Sequence, residues 1–360
     1  MKERYQMDYY NDQDGLKYEL QSRCHGITPY GDKRKEFPSK DNFVEIFHTI
    51  EEKMNADWHQ DVNLGAAIAG DGLLTDHGIK HVQDVIQHAG DILSDVQHLT
   101  GYELFILLLS IHFHDVGNTY GRDEHEQQVA TVIDELGDAL PLSIPEKQFI
   151  NTIATAHGGY IDGDKDTISH ITADTKFGNV TIRPKVLASI LRFADEISDD
   201  LRRSTIKDDK IPDANKVFHA YSKSLFPVSI EGETVILHYQ IPYSLTQSKI
   251  GKGSTQVFLY DEILNRVTKC MRELEYCKKY ASGFIKISSL SVTIEILQDK
   301  SFKPIKGAGD SFRLTLQGYP DVGNNTLESY MEKPTAITGA SKQLKYKNGL
   351  YLQAVIAGGS

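Results

Sequence analysis

The chain has 360 residues, of which 40% are hydrophobic and 25% charged, a composition that can bury the cores of two or three domains and excludes wholesale disorder. Its formal net charge of −11 predicts a surface that repels nucleic acid, so duplex nucleic acid is not an expected partner. The longest strictly apolar run covers residues 104–109, too short for a bilayer span, so no membrane partner is expected. Three cysteines without CxxC spacing and an N-terminus without an apolar signal region favour a cytoplasmic location.

A polar stretch comes first and a helical region follows it. Turn signals predict an irregular N-terminal extension over residues 1–40. Apolar residues at helical spacing then predict an all-α domain over residues 41–205, with successive helices and no clear strand. Residues 102–116 are apolar nearly all round, which predicts a central buried helix. This helix is predicted to end at Gly117 in a left-handed cap. The other predicted helix starts are Ser39 or Asp41, Thr75 with Asp76, Asp123, Ser143 and Pro184.

The pattern changes after residue 206. Alternating apolar residues predict strands over 228–231 and 234–241, a long amphipathic helix over 257–280, and further strands over 285–297 and 312–316. These elements predict an α+β domain over residues 206–317, followed by a turn-rich tail over residues 318–360. The predicted fold class is therefore mainly α: an all-helical bundle followed by a small α+β domain. A homo-oligomer formed through the α+β domain is a further expectation.

Histidines and buried carboxylates concentrate in the helical region. Nine of the 14 histidines lie between residues 77 and 170. His114 and Asp115 end the most apolar helix, and Asp195 lies on a helix that is otherwise aliphatic. An ionised carboxylate in such surroundings costs several kcal/mol unless it is paired or bound to a metal. A divalent cation shared by both carboxylates, with neutral imidazoles completing its shell, answers this cost.

These residues resemble a known family. His81, His114-Asp115 and Asp195 reproduce the H…HD…D order of the HD-domain metal-dependent phosphohydrolases. The local sequences at residues 110–117 and 191–195 are also similar to the family's motifs. The resemblance covers roughly residues 65–205. It implies that His81, His114, Asp115 and Asp195 bind a metal ion, that Asp115 is required for catalysis, and that the substrate is a nucleotide.

Two further histidines bear on the subtype that the resemblance implies. His125 follows Asp115 by ten residues, where dNTP triphosphohydrolases of the family place a catalytic histidine, and its predicted role is general acid for the leaving oxygen. His157, in Ala-His-Gly-Gly, resembles an extra ligand of the bimetallic HD phosphodiesterases. The predicted cofactor is one or two divalent metal ions, with Mn²⁺, Fe²⁺, Mg²⁺ and Zn²⁺ all open.

The predicted activity is hydrolysis of a nucleotide phosphate ester by a metal-activated hydroxide. A (deoxy)nucleoside triphosphate triphosphohydrolase is the first choice because of His125, and a cyclic or oligonucleotide phosphodiesterase is the alternative because of His157. A nucleotide-sensing module and a di-iron HD oxygenase stay open as further alternatives. The residues predicted to contact the anionic substrate are Arg122, Lys80, Arg192 and His77.

Overall fold

The computed structural model describes residues 15–26, 28, 31–64, 75–172, 174–204, 206–316, 326–331 and 344–358. The contacts between its residues divide the protein into two compact units, each made of more than one stretch of the chain. The first comprises residues 1–71, 77–195 and 280–285, and the second comprises residues 72–76, 196–279 and 286–360. The described residues are mainly helical with small sheets, which agrees with the predicted fold class. The domain boundaries drawn from the sequence stay a prediction.

The described residues of the first unit form helices and one short hairpin. Its helices are Leu16–His25 (α1), Phe43–Asp57 (α2), Ile79–Asp91 (α3), Gly101–Phe113 (α4), Val129–Leu136 (α5), Ile144–Thr155 (α6) and Pro184–Glu196 (α7). The hairpin pairs Thr175–Phe177 (β1) with Val180–Ile182 (β2) in antiparallel register. Two 3₁₀ helices, Val116–Tyr120 and His125–Gln128, lie between α4 and α5.

Helix α4 is the centre of the first unit. All of its side chains are buried, and α1, α2, α3 and α6 pack against it. The ring of Phe43 on α2 meets Tyr102 and Phe105 of α4 edge-on, with centroids 5.4 and 5.1 Å away. A helix that is apolar all round can be stable only in such a position. The prediction of a central buried helix is therefore confirmed, and the end of this helix lies inside the core.

Two predicted helix starts are confirmed. Ser143 and Glu146 form the predicted capping box, in which each side chain satisfies a backbone N–H of the other residue, and Thr100 and Glu103 form another at the start of α4. Pro184 begins α7. The predicted start at Thr75-Asp76 is wrong, because α3 begins only at Ile79. A 3₁₀ helix also replaces the first turns of the helix predicted from Asp123, and α5 begins at Val129.

Three other local predictions for the first unit are corrected. Residues 16–25 form α1 rather than an irregular stretch; α1 has only a few buried positions, so its sequence lacks a clear apolar face. The hairpin contradicts the expectation of no strand, since three-residue strands are too short for periodicity to show. Gly117 has no left-handed backbone, and the chain instead continues into the 3₁₀ helix at Val116–Tyr120.

The second unit is built around a mixed sheet. Its strands are Ser229–Glu231 (β3), Thr234–Pro242 (β4), Ile250–Lys252 (β5), Thr255–Val257 (β6), Ser289–Leu297 (β7) and Pro304–Thr315 (β8). Its helices are Lys216–Ser224 (α8), Tyr243–Thr246 (α9), Leu259–Ala281 (α10), Leu327–Tyr330 (α11) and Gly349–Gly358 (α12). The four-stranded sheet has the order β3-β4-β7-β8, with β4 and β7 parallel and both outer pairs antiparallel.

The connection between the parallel strands explains this topology. Parallel neighbours need a long crossover, and α10 lies between β4 and β7 in the chain. Alternate residues of β4 are buried, which is the period-2 pattern from which the strand was predicted. The strands predicted at residues 228–231, 234–241 and 285–297 and the helix at 257–280 are thus confirmed, apart from shifts at their ends.

The C-terminal tail differs from its prediction in the parts that the structure describes. Two helices, α11 and α12, replace turns, and Tyr330, Tyr346 and Leu352 are buried. These helices are too short for a periodic pattern to predict them. Among the helices of the described residues, none combines the length and apolarity that crossing a bilayer requires.

Candidate metal centre

Four side chains that are far apart in the sequence meet in the interior of the first unit. His81 lies on the first turns of α3, His114 and Asp115 directly follow α4, and Asp195 lies on the last turn of α7. One ligand atom from each of the four lies within 4.8 Å of the others. His81 and His114 are fully buried, whereas a quarter of the Asp195 side chain is exposed. Three core helices therefore fix this group, and its Asp195 edge is open to solvent.

The donor atoms of this first group face one another. His81 Nε2 lies 3.1 Å from Asp195 Oδ1, 3.4 Å from Asp115 Oδ2 and 3.3 Å from His114 Nε2. His114 Nε2 lies 3.3 Å from Asp115 Oδ2 and 3.7 Å from Asp195 Oδ1. Donors that share one cation at about 2.0–2.2 Å are spaced from one another by about 3–4 Å. The spacing of all five pairs falls in this range.

A second group of donors shares Asp115 with the first. Asp115 Oδ1 lies 3.2 Å from His125 Nε2 and 3.7 Å from His157 Nε2, and these three residues are all buried. His125 begins the 3₁₀ helix that follows the loop after α4, and His157 lies two residues past the end of α6. Asp115 thus presents Oδ2 to the first group and Oδ1 to the second.

Backbone carbonyls fix the tautomers of three of the histidines in the same way. The Nδ1–H groups of His114, His125 and His157 donate to the carbonyl oxygens of Ile111, Arg122 and Ala154, at 2.7, 3.1 and 2.6 Å. Each acceptor lies three residues before its histidine. Because a carbonyl oxygen can only accept, Nδ1 carries a proton in each of them, and Nε2 is the nitrogen left to bind a metal.

The electrostatics of the cluster call for a positive charge. Burial raises the pKa of Asp115 and of Asp195, but the neighbouring histidines outweigh it and hold both carboxyls well below their usual range. Burial likewise lowers the pKa of His114, yet the two carboxylates raise it to about 10. Burial and His114 together lower the pKa of His157 to about 4, so His157 is a neutral imidazole. A divalent cation supplies the charge that these carboxylates attract and displaces the proton from His114.

The donor set fits a divalent metal ion. Two carboxylates and four imidazoles suit Zn²⁺, Mn²⁺ or Fe²⁺, and three of the imidazoles have the required tautomer. The structure therefore brings together all five residues predicted as ligands, together with His125. It also shows that the Asp115 carboxylate lies between the two groups, which the sequence pattern did not indicate.

Two of the predicted substrate contacts lie at the edge of the cluster. The Arg122 side chain is 43% exposed, and its Nη1 lies 3.4 Å from both His77 Nε2 and His125 Nε2. The same nitrogen donates to Asn118 Oδ1 at 3.1 Å and lies 3.9 Å from Asp115 Oδ1. The imidazole of His77 is buried beside His81, with ring centroids 5.8 Å apart. A cation and a histidine therefore border the two donor groups.

The other two predicted substrate contacts have different surroundings. Lys80 is exposed while its neighbour His81 is buried, and adjacent helical residues point about 100° apart, so the structure does not bring Lys80 to the cluster. Arg192 is buried, and its Nη1 donates to Thr167 Oγ1 at 2.9 Å. Thr167 in turn donates to the Ala156 carbonyl at 2.8 Å. This chain of bonds favours a structural role for Arg192, which holds the segment that carries His157.

Three residues around the cluster were missed by the sequence analysis. A Cβ at Gly117 would lie 1.9 Å from the His125 carbonyl oxygen, so only glycine allows this approach of the two turns. Asn118 Nδ2 donates to Asp115 Oδ1 at 3.1 Å. Glu126 Oε2 lies 3.2 Å from His125 Nδ1, and the space for its carboxylate is left by Gly158 and Gly159. A Val-Gly-Asn sequence after the HD pair and the Gly-Gly after His157 are the signals that could have indicated them.

Comparison with known proteins adds one positive finding. A protein-family model described as HD-CE matches residues 72–231, which include every ligand of both groups. No curated protein sequence matches the chain. The family match and the buried His/Asp cluster together fit an HD-type domain, with a site that could hold a divalent metal ion. They indicate a metal-dependent hydrolase.

Proposed function

We propose that this protein hydrolyses a phosphate ester of a nucleotide at a site for two divalent metal ions. The observation that carries the proposal is the position of Asp115, whose two carboxylate oxygens face two separate sets of imidazoles. Two-metal sites with a shared ligand are typical of enzymes that cleave phosphate esters by in-line displacement. The resemblance of the local motifs to the HD phosphohydrolases supports a nucleotide as the substrate.

Each donor group would bind one of the two metal ions. His81, His114, Asp115 and Asp195 would hold one ion, and Asp115, with His125 and His157, would hold the other. When bound, such ions supply Lewis acidity, which makes water a nucleophile at neutral pH and neutralises charge on phosphoryl oxygens. Asn118 fixes the rotation of the Asp115 carboxylate through its amide, so that each oxygen keeps facing its own group.

Arg122 is the residue best placed to bind the phosphate. It is half-exposed at the edge of the cluster, and its Nη1 lies 3.9 Å from Asp115 Oδ1, the carboxylate oxygen that faces the second group. A planar guanidinium binds phosphate oxygens through paired hydrogen bonds. Because the whole chain carries a net charge of −11, this local cation is needed to attract an anionic substrate.

A phosphodiester is the favoured substrate. The triphosphohydrolase hypothesis uses His125 as a general acid, but His125 Nε2 lies 3.2 Å from Asp115 Oδ1, in the position of a metal donor. That placement favours the bimetallic phosphodiesterase type. A triphosphohydrolase stays the second candidate, because His125 Nε2 also lies 3.4 Å from Arg122 Nη1, where it could protonate a leaving oxygen of a phosphate that Arg122 holds.

The test is incubation of the purified chain with Mn²⁺ and a panel of nucleoside triphosphates and cyclic and linear dinucleotides, with the products separated by chromatography. A linear dinucleotide or a monophosphate supports the diesterase, and released triphosphate supports the second candidate. Absence of any metal in the protein and of any hydrolysis across the panel and across Mn²⁺, Fe²⁺, Zn²⁺ and Mg²⁺ would overturn the proposal.

The variant His125→Ala separates the two candidates. If His125 is a ligand, the variant loses about one of two metal ions. The metal content of the protein is measured by mass spectrometry. If His125 is a general acid, the variant keeps its metal and loses turnover only. His170→Ala is the matched control, because His170 is partly exposed and bonds to Asp164 outside the cluster.

A further inference from the structure

The second unit contains a cavity that the proposed chemistry does not use. Its volume is about 320 Å³, within the range of small-molecule sites. One wall is helix α8, on which Lys216, Ala220 and Lys223 line the cavity. These residues are spaced i, i+4 and i+7, so they form one stripe along the helix. The small side chain of Ala220 leaves space between two long cationic ones.

Several of the other lining residues are apolar and only partly covered. Pro242, at the end of β4, Leu245 on α9 and Ile250 in β5 line the cavity, and each of them is only half-buried. Apolar side chains that are held in a concave surface and still exposed gain free energy when a ligand covers them. The cavity therefore suits the apolar body of a small molecule.

Both lysines keep their ammonium groups near the surface. Lys216 Nζ lies 3.0 Å from Asp213 Oδ1, in a pair whose two side chains are 47% and 69% exposed. Lys223 Nζ donates to the carbonyl oxygen of Ile206 at 3.0 Å. An exposed ion pair of this kind contributes little and is easily exchanged for another anion. Two cations at one cavity stand out in a chain of net charge −11.

We propose that this cavity binds a small organic anion, with its apolar body against Pro242, Leu245 and Ile250 and its acidic group between Lys216 and Lys223. The lining residues belong to the second unit and differ from the metal ligands, all of which belong to the first. The binding requires no hydrolytic activity, so the proposal is independent of the function proposed above. The lysines select for negative charge, and the apolar wall selects for a non-polar body.

The experiment uses two dyes of the same shape on the full chain. One is 8-anilinonaphthalene-1-sulfonate, which has an apolar body and one negative charge, and the other is N-phenyl-1-naphthylamine, which lacks the sulfonate. Fluorescence titration is expected to give tighter binding of the charged dye. In the double variant Lys216→Gln/Lys223→Gln, the affinity for the charged dye is expected to fall about threefold to tenfold. The affinity for the uncharged dye is expected to stay the same.

Two further variants complete the test. Lys300→Gln/Lys303→Gln removes the same charge from an exposed turn of the second unit that does not line the cavity, and it should leave both affinities unchanged. Ala220→Phe fills the space between the lysines and should weaken both dyes. The proposal is overturned if the charged dye binds no better than the uncharged one, or if the cavity lysines can be replaced with no more effect than Lys300 and Lys303.

Discussion

The two donor groups that share Asp115 are held in different ways. The first takes His81, His114 and Asp195 from helices of the core or from the residue that directly follows one, so the packing of α3, α4 and α7 sets its geometry. The second takes His125 and His157 from a 3₁₀ turn and from the residues after α6. Turns depend on a few local contacts, whereas core helices are held by many side chains. We therefore expect the first group to bind its ion more tightly than the second.

The largest effect is expected from Asp115→Ala. This change removes a donor from both groups, so the protein should lose both ions and more than about a hundredfold in turnover, since even outer-shell changes cost about 10–100-fold. Metal content and hydrolysis of the best substrate from the panel are the measurements. Turnover that survives without metal would show that the cluster is not the site of the reaction.

A change confined to the second group should have a smaller effect. His157→Ala is expected to leave one ion bound and to reduce turnover about 10–100-fold, whereas His81→Ala should release the tighter ion. Metal titration of the two variants, followed by calorimetry, compares the groups directly. Equal weakening of both sites by His157→Ala would contradict the difference between helix-held and turn-held ligands.

Gly117→Ala tests whether the turn itself sets the second group. A Cβ at this position would lie 1.9 Å from the His125 carbonyl oxygen, so the turn must shift, at a cost of about 1–3 kcal/mol in the free energy of unfolding. We expect a lower melting temperature and weaker binding of one ion. Gly283→Ala is the control, because a Cβ there meets nothing within 4 Å. A melting temperature and metal content equal to those of the control would contradict this role of Gly117.

The smallest effect is expected at Glu126. Its Oε2 lies 3.2 Å from His125 Nδ1, beside the bond from that nitrogen to the Arg122 carbonyl, so it orients the imidazole. Glu126→Ala should weaken the second ion about tenfold, and Glu126→Gln, which keeps an oxygen acceptor, should restore most of it. If the two variants bind metal equally well, Glu126 does not act through this hydrogen bond.

Patterns in the chain indicated the two carboxylates of the first group, and the resemblance to the HD phosphohydrolases added His81 and His114. An aspartate at the end of an all-apolar helix and another on an aliphatic helix are costly without a cation, which marks Asp115 and Asp195. The predicted substrate contacts could not be sorted in the same way. Arg122 and Arg192 look alike in the sequence, but only contacts across the fold place Arg122 at the cluster and tie Arg192 to Thr167.

The amino-acid sequence by itself determined the helical class of the first unit, the sheet-and-helix class of the second, and the need of Asp115 and Asp195 for a neutralising partner. These follow from periodicity and from the cost of burying charge, which are both local properties. Tertiary structure alone decided that the two oxygens of Asp115 face different imidazoles, that Gly117 and Glu126 support His125, and that two lysines line a cavity. Each of these depends on the three-dimensional path of the backbone, which no local pattern encodes.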